Sequence, residues 1–328
     1  MTRAAFTRFI AAAAIVAVVA ALAAEASAQT YPQRPIRVVV PFAPGGITDI
    51  LARALGQRLG EALGQPIVVD NRPGANSQLG AEIVARAAPD GYTLMVSADT
   101  TFVMNPHLYA RLGYDALKDF VPVSGLGISP QALVVHPSLP AKSVSELVAL
   151  ARAKPGEITY GTFGVGSSGH LNIELMQSLT GARFTAVHYK GAAPALTDLI
   201  GGHIRMMIVS IGLITQAWQT GELKVLGFGS TERIDRFPDV PTIAETLPGF
   251  EAASWYGLVA PAGTPRPIVD KLSAATRRIF AEPEFRDRFL APNMIFSIAG
   301  TPEEFAARIR SDHAKWGKVI RDANVKVE

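Results

Sequence analysis

The chain has no cysteine among its 328 residues. That excludes a disulfide framework, a thiol nucleophile and a thiolate-bound metal, so stability must come from burial. Charge is sparse and nearly balanced: 31 Lys and Arg against 28 Asp and Glu give a formal net charge of +3. With no long basic tract, a nucleic-acid partner is not expected. The six histidines (His107, His136, His170, His188, His203 and His313) include no pair at the spacing of a helical metal motif. Neither a metal nor a cofactor is expected. No tandem repeat or low-complexity segment follows the first 28 residues, and no later apolar run reaches the roughly 20 residues of a membrane span.

The first 28 residues read as an export signal. Arg3 and Arg8 form a basic start, Ile10 to Ala24 is an uncharged apolar run, and Ala26-Ser27-Ala28 fits a small-x-small cleavage rule. Cleavage after Ala28 into the periplasm is expected, leaving 300 of the 328 residues. That length suffices for two domains.

Beyond the signal, strand and helix patterns alternate. Ile36 to Pro41, Ile67 to Asp70 and Tyr92 to Ser97 read as strands, with helices over Asp49 to Leu63 and Gln78 to Ala87 between them. This order implies a parallel sheet with right-handed crossovers. A second series follows: strands at Ala132 to His136, Ile158 to Gly161, Phe184 to Tyr189, Met206 to Val209 and Val225 to Phe228, and helices at Ser143 to Ala153, His170 to Leu179 and Ala192 to Ile200. The tail from Pro267 reads as mostly helical, in pieces at Val269 to Phe280, Pro302 to Ile309 and His313 to Ile320. Two such units in series predict a two-lobed α/β protein with its ligand site outside the carboxyl ends of the strands.

Two glycine-rich loops lie at such ends. The first is Pro41-Phe42-Ala43-Pro44-Gly45-Gly46-Ile47-Thr48-Asp49. Gly45 and Gly46 allow close backbone approach, Phe42 offers an apolar wall, and Asp49 is positioned to cap the helix. The second, Thr162-Phe163-Gly164-Val165-Gly166-Ser167-Ser168-Gly169-His170, fits the G-x-G-x-x-G dinucleotide pattern. The next strand ends His188-Tyr189-Lys190 instead of in an acid, which leaves a nucleotide-dependent oxidoreductase as the alternative to an anion-gripping loop with hydroxyls from Thr162, Ser167 and Ser168. Ser168 and His170 do not form a nucleophile–base pair at that spacing, so no catalytic residue is assigned. Ser97, Asp99 and Thr100, after the third strand, either reach a ligand or cap the following turn.

These loops and their flanks resemble the Bug family of periplasmic solute receptors, which serve tripartite tricarboxylate transporters. The matches include Tyr31-Pro32-Gln33-Arg34-Pro35-Ile36, Pro41 to Gly46 with Asp49, Val69-Asp70-Asn71-Arg72-Pro73-Gly74-Ala75 and Pro89-Asp90-Gly91-Tyr92-Thr93-Leu94. They continue through Gly166 to Leu171, Tyr189-Lys190-Gly191, Phe237 to Thr242 and Ala260 to Pro265. The resemblance implies a type II periplasmic-binding-protein fold, with lobe 1 formed by 29–129 plus 254–328, lobe 2 by 130–253, and hinge crossings near Ser129 and Ser254. It implies a monomer that is not an enzyme, binds a dicarboxylate, tricarboxylate or aromatic acid, and docks on membrane subunits of the transporter; a receptor feeding a signalling system is the other use of the same fold. By matching position, the ligand set is the backbone of Ala43, Gly45, Gly46 and Ile47 with Thr162, Gly166, Ser167 and Ser168, and His170 beside them. Phe42, Ser97, Asp99, Thr100 and Tyr189 complete the candidates. Where relatives often carry an acid in Met-Met-Phe-Asp, this chain has Val209 in Met206-Met207-Ile208-Val209, which favours acids without an amino group.

Overall fold

Strand β1 (Ile36–Val40) sends Val38 and Val40 to one face and Val39 to the other, and all three are buried. A strand buried on both faces needs helices on both sides, and a computed structural model supplies them. The structure describes residues 31–322, so the expected signal segment and its cleavage site lie outside the described residues.

In the first unit, β1 pairs in parallel with β2 (Ile67–Asn71) and β3 (Thr93–Ala98). Helix α1 (Ile47–Leu63) covers one face through Leu51, Leu55 and Leu59, and α2 (Gln78–Ala85) covers the other through Ala81 and Val84. After β3 the chain makes a π-helical turn, Thr100–Met104, and the short helix α3 (Asn105–Leu108).

Strand β4 (Phe120–Val135) joins the halves. Its first part pairs with β9 (Ala253–Pro261), with Ser129 opposite Ser254, and from Gln131 onward it pairs with β7 (Met206–Ser210) and β8 (Lys224–Phe228). The second unit contains α4 (Val144–Ala153), β5 (Thr159–Thr162), α5 (Ser168–Thr180), β6 (Thr185–His188), α6 (Ala192–Ile200) and, after β7, α7 (Ile211–Gln219). Here β5 runs parallel to β6 and β7, and β7 again alternates, Met206 and Ile208 to one core, Met207 and Val209 to the other. Helices α8 (Arg266–Ala281) and α9 (Pro302–Asp322) return to the first unit, where α8 packs with α1 and α9 lies over the opposite face. The two-residue strand β10 (Phe296–Ser297) pairs with β4 and completes the first sheet.

The sequence pattern at β4 suggested a strand only from Ala132. Pro122, Gly125, Gly127 and Pro130 interrupt it, yet the strand continues through register shifts at Pro122/Ser124 and Gly125/Gly127. The glycines in this region permit close packing. A Cβ on Gly257 of β9 would lie 1.9 Å from the Phe305 ring of α9. Gly257→Ala is expected to lower unfolding free energy by about 1–3 kcal/mol through overpacking, read by denaturant melting; unchanged stability would show that α9 moves aside freely.

Candidate functional site

Helix α1 starts at Ile47, and its N-cap, Gly46, supplies no side-chain acceptor. The first N–H groups of the helix are therefore left without an intrahelical or side-chain partner, at the positive end of its dipole. Asp49 lies in the first turn and is not the cap, because the helix begins two residues earlier than the sequence pattern suggests. Its carboxylate accepts the Gly45 N–H, the Arg53 guanidinium and the Asn71 amide, each at 3.0 Å. Burial alone would raise the Asp49 pKa, but the bonds from Arg53, Gly45 and Asn71 outweigh it and hold the carboxyl below its ordinary value. The charge on Asp49 is thus matched within lobe 1.

Gly46, Ile47 and Thr48 line a cavity of about 40 Å³ between the two units, with Phe42 and Ala43 beside them. The facing wall is Phe163, Ala192, Val209, Ser210 and Leu213. Ala98, Gln131, Ser254 and Tyr256 close it from β3 and the two crossing strands. Among the described residues no Asp, Glu, Lys, Arg or His lines it. That volume holds a few waters, so an organic acid fits only when the units part.

Two hydroxyl pairs border this space. Gln131 Nε2 donates to Ser168 and Ser254, each at 2.9 Å, while its Oε1 accepts from Asn172 at 2.8 Å. Ser168 and Ser254 are 2.8 Å apart, and Ser210 and Tyr256 are 3.0 Å apart. In each pair one hydroxyl donates to the other, which leaves the second O–H to donate elsewhere.

The second glycine loop is built differently. The Gly164 N–H goes to Thr162 Oγ1, the Ser167 N–H to the Gly164 carbonyl, and the Gly166 N–H to His170 Nδ1. Ser167 caps α5 by accepting the His170 N–H. Those donors are consumed locally, whereas α6 and α7 start at Gly191 and Ser210 without a side-chain cap. Of this loop, Phe163 lines the cavity; Thr162, Gly166, Ser167 and Ser168 stand behind it, with Ser168 touching the lining residues Gln131 and Ser254.

His170 accepts a hydrogen bond at Nδ1, so its ring is neutral and its proton sits on Nε2, 3.6 Å from Glu174. Burial, and secondarily the neighbouring His188, push its pKa down to about 4. Ser97 bonds Thr101 at 2.6 Å, and Thr100 lies against Asp99 and the Met104 sulfur. Asp99 accepts the N–H groups of Thr100 at 2.8 Å and Trp255 at 3.3 Å, and burial raises its carboxyl to about 7 against those bonds. The Ser97, Asp99 and Thr100 side chains are buried, at the end of β3 and the start of the π-helical turn, and none lines the cavity. The Tyr189 hydroxyl donates to Asp198 at 2.6 Å, away from the cavity.

The units also meet directly along a seam. The Ala43 N–H donates to the Lys190 carbonyl at 3.2 Å, and the Tyr109 hydroxyl donates to the Val165 carbonyl at 2.8 Å. Gly164 approaches Asn76 so closely that a Cβ there would sit 2.8 Å from Asn76 Oδ1. Sequence reasoning missed Tyr109, Gln131, Leu213 and Tyr256. For Leu213 a signal existed: Ser210-Ile211-Gly212 is another strand end opening a helix, without the glycine-rich signature that drew attention elsewhere.

The family model described as tripartite tricarboxylate transporter family receptor matches residues 51–325. The chain is 37% identical to BugT of Bordetella pertussis over 324 residues, covering 98% of this chain and 99% of BugT. Among solved structures it is similar to an R. palustris protein with adipate, at 36% identity and TM-score 0.87, covering 90% of this chain and 100% of that one. The periplasmic binding protein BugD superposes with TM-score 0.85 at 32% identity, again covering 90% and 100%. The matched family and these structural neighbours are periplasmic substrate-binding receptors, not enzymes, and share the expected two-lobed fold. Among the described residues no helix is long and apolar enough to cross a membrane.

The buried His170 has a pH consequence. Its pKa is about 4 folded against 6.5 unperturbed, so the unfolded chain binds more protons between these values. Its contribution to stability is full above about pH 6.5 and is lost as pH falls towards 4. His170→Asn, which keeps an acceptor, is expected to flatten that part of the stability–pH curve; an unchanged slope would assign the titration to other groups.

Proposed function

This chain belongs to the tripartite tricarboxylate transporter receptor family, and on that premise we propose that it captures a small carboxylate between its lobes and delivers it to the membrane subunits of such a transporter. The observation that carries the reading is the uncapped start of α1, opening into a cavity with no charged side chain in its wall. An anion there gains rigid main-chain donors and meets no carboxylate in the wall to repel it.

The lobes are taken as 29–129 plus 254–328 and 130–253, with β4 and β9 as the flexing connection. The open form exposes Gly46, Ile47 and Thr48. The carboxylate docks at these N–H groups, and the second lobe then swings over it with Phe163, Ala192 and Leu213. Water leaves, and hydrogen bonds to the charged oxygens strengthen in the drier site. The Tyr109–Val165 and Ala43–Lys190 bonds hold the shut form. The R. palustris neighbour with adipate supports a carboxylate with a carbon body. Val209 stands in the wall without an acid beside it, so a ligand ammonium would be buried unpaired. Dicarboxylic, tricarboxylic and aromatic acids without an amino group are the proposed class. The working location is the periplasm, after cleavage at Ala28.

Thermal melting with adipate, citrate and benzoate tests this directly, since a ligand of the native state raises the melting temperature. Gly46 has φ −80, and a Cβ there meets nothing nearer than 4.0 Å, so Gly46→Val is expected to fold while crowding the helix start. It should abolish the shift produced by a binding acid; an unchanged shift contradicts the assignment. Tyr109→Phe is expected to speed release of that acid about fivefold, equivalent to about 1 kcal/mol for one neutral hydrogen bond. Unchanged release in stopped flow would show that the seam does not hold the closed form.

A further inference from the structure

A second cavity, of about 280 Å³, adjoins the first, and Phe42 and Phe163 line both. Tyr109, Val165 and Lys190 stand around it, so it too spans the lobes at their seam. Among the described residues no acid lines it. Lys190 is exposed, its carbonyl is anchored by Ala43, and its ammonium forms no ion pair among the described residues. His188, also in the wall, is held towards neutrality, since burial lowers its pKa and Glu174 only partly opposes this; its Nδ1 bonds Thr162 Oγ1 at 2.8 Å. Among the described residues Lys190 is therefore the one permanent cation in the wall. Asp198 stands behind Tyr189, bonded to its hydroxyl, and does not line the chamber.

We propose that this outer chamber is a vestibule for small organic anions, in which Lys190 raises the local concentration of the acid before it passes Phe42 and Phe163 to the inner cavity. The proposal rests on the carboxylate reading above. Its physical basis is that a lone positive charge beside low-dielectric walls focuses field into the cleft and speeds association, without adding contacts in the bound state.

The cysteine-free chain permits a test that needs no ligand. Val165→Cys puts a single thiol in the chamber wall, and its reaction rates with anionic and cationic methanethiosulfonates of similar size report the local potential. Adding Lys190→Glu is expected to lower the anion-to-cation rate ratio about fivefold or more at low ionic strength, with the difference closing in 1 M salt, where screening acts within about 3 Å. An unchanged ratio overturns the vestibule. Stopped-flow binding of adipate, citrate or benzoate gives the second arm. Lys190→Glu should slow association of a binding acid about fivefold and leave dissociation as it was; a change confined to dissociation would put Lys190 in the bound site and overturn the proposal. Failure of all three acids to bind the unaltered chain would count against the carboxylate reading, and the labelling ratio would then judge the chamber by itself.

Discussion

Among the described residues no cationic side chain lines the inner cavity, so any positive potential in it has to come from the main chain. That constraint organises the site. Peptide dipoles and N–H groups are fixed in place by the fold, and they lose little freedom when an anion docks. The start of α1 presents such groups, because Gly46 supplies no side-chain cap and Asp49 is engaged by Gly45, Arg53 and Asn71. An Arg or Lys in that wall would bring a desolvation cost of its own each time the lobes shut.

The two glycine-rich loops divide the work. The first keeps its helix donors open towards the cavity. The second spends the Gly164, Gly166 and His170 N–H groups on Thr162, His170 and Ser167 and becomes a rigid support. Rigidity there places Phe163 against both cavities and sets Val165 where Tyr109 can reach it across the seam. Small residues make the approach possible, since added atoms at Gly164 or Gly191 would strike Asn76 or Ala43.

Much of the fold was legible because strands buried on both faces leave continuous β-branched runs and the helices between them keep helical spacing. The first loop was legible as a helix start at a strand end, and Phe42, Ala43, Gly46 and Ile47 do line the cavity. The long β4 was not, because its prolines and glycines resemble loop punctuation while serving bulges and close packing. Gln131, Ser254 and Tyr256 lie on those crossing strands, so their place in the wall depends on pairing between residues more than 100 apart, such as Gln131 and Ser254. The two glycine loops look equivalent in sequence, and only the hydrogen-bond partners separate an open helix start from a capped one. Ser97, Asp99 and Thr100 stand at a strand end like the loop residues, but their side chains are buried, at the end of β3 and at the π-helical turn that follows.

A crystal structure of the chain with a bound carboxylate, chosen as the acid that most raises its melting temperature, tests the central claim most directly. The account predicts carboxylate oxygens within hydrogen-bond distance of the Ile47 and Thr48 N–H groups, with Phe163 and Leu213 closed over the body of the acid. An acid held instead by the N–H groups of Gly164 to Gly169, or seated outside the interlobe cavity, would contradict it.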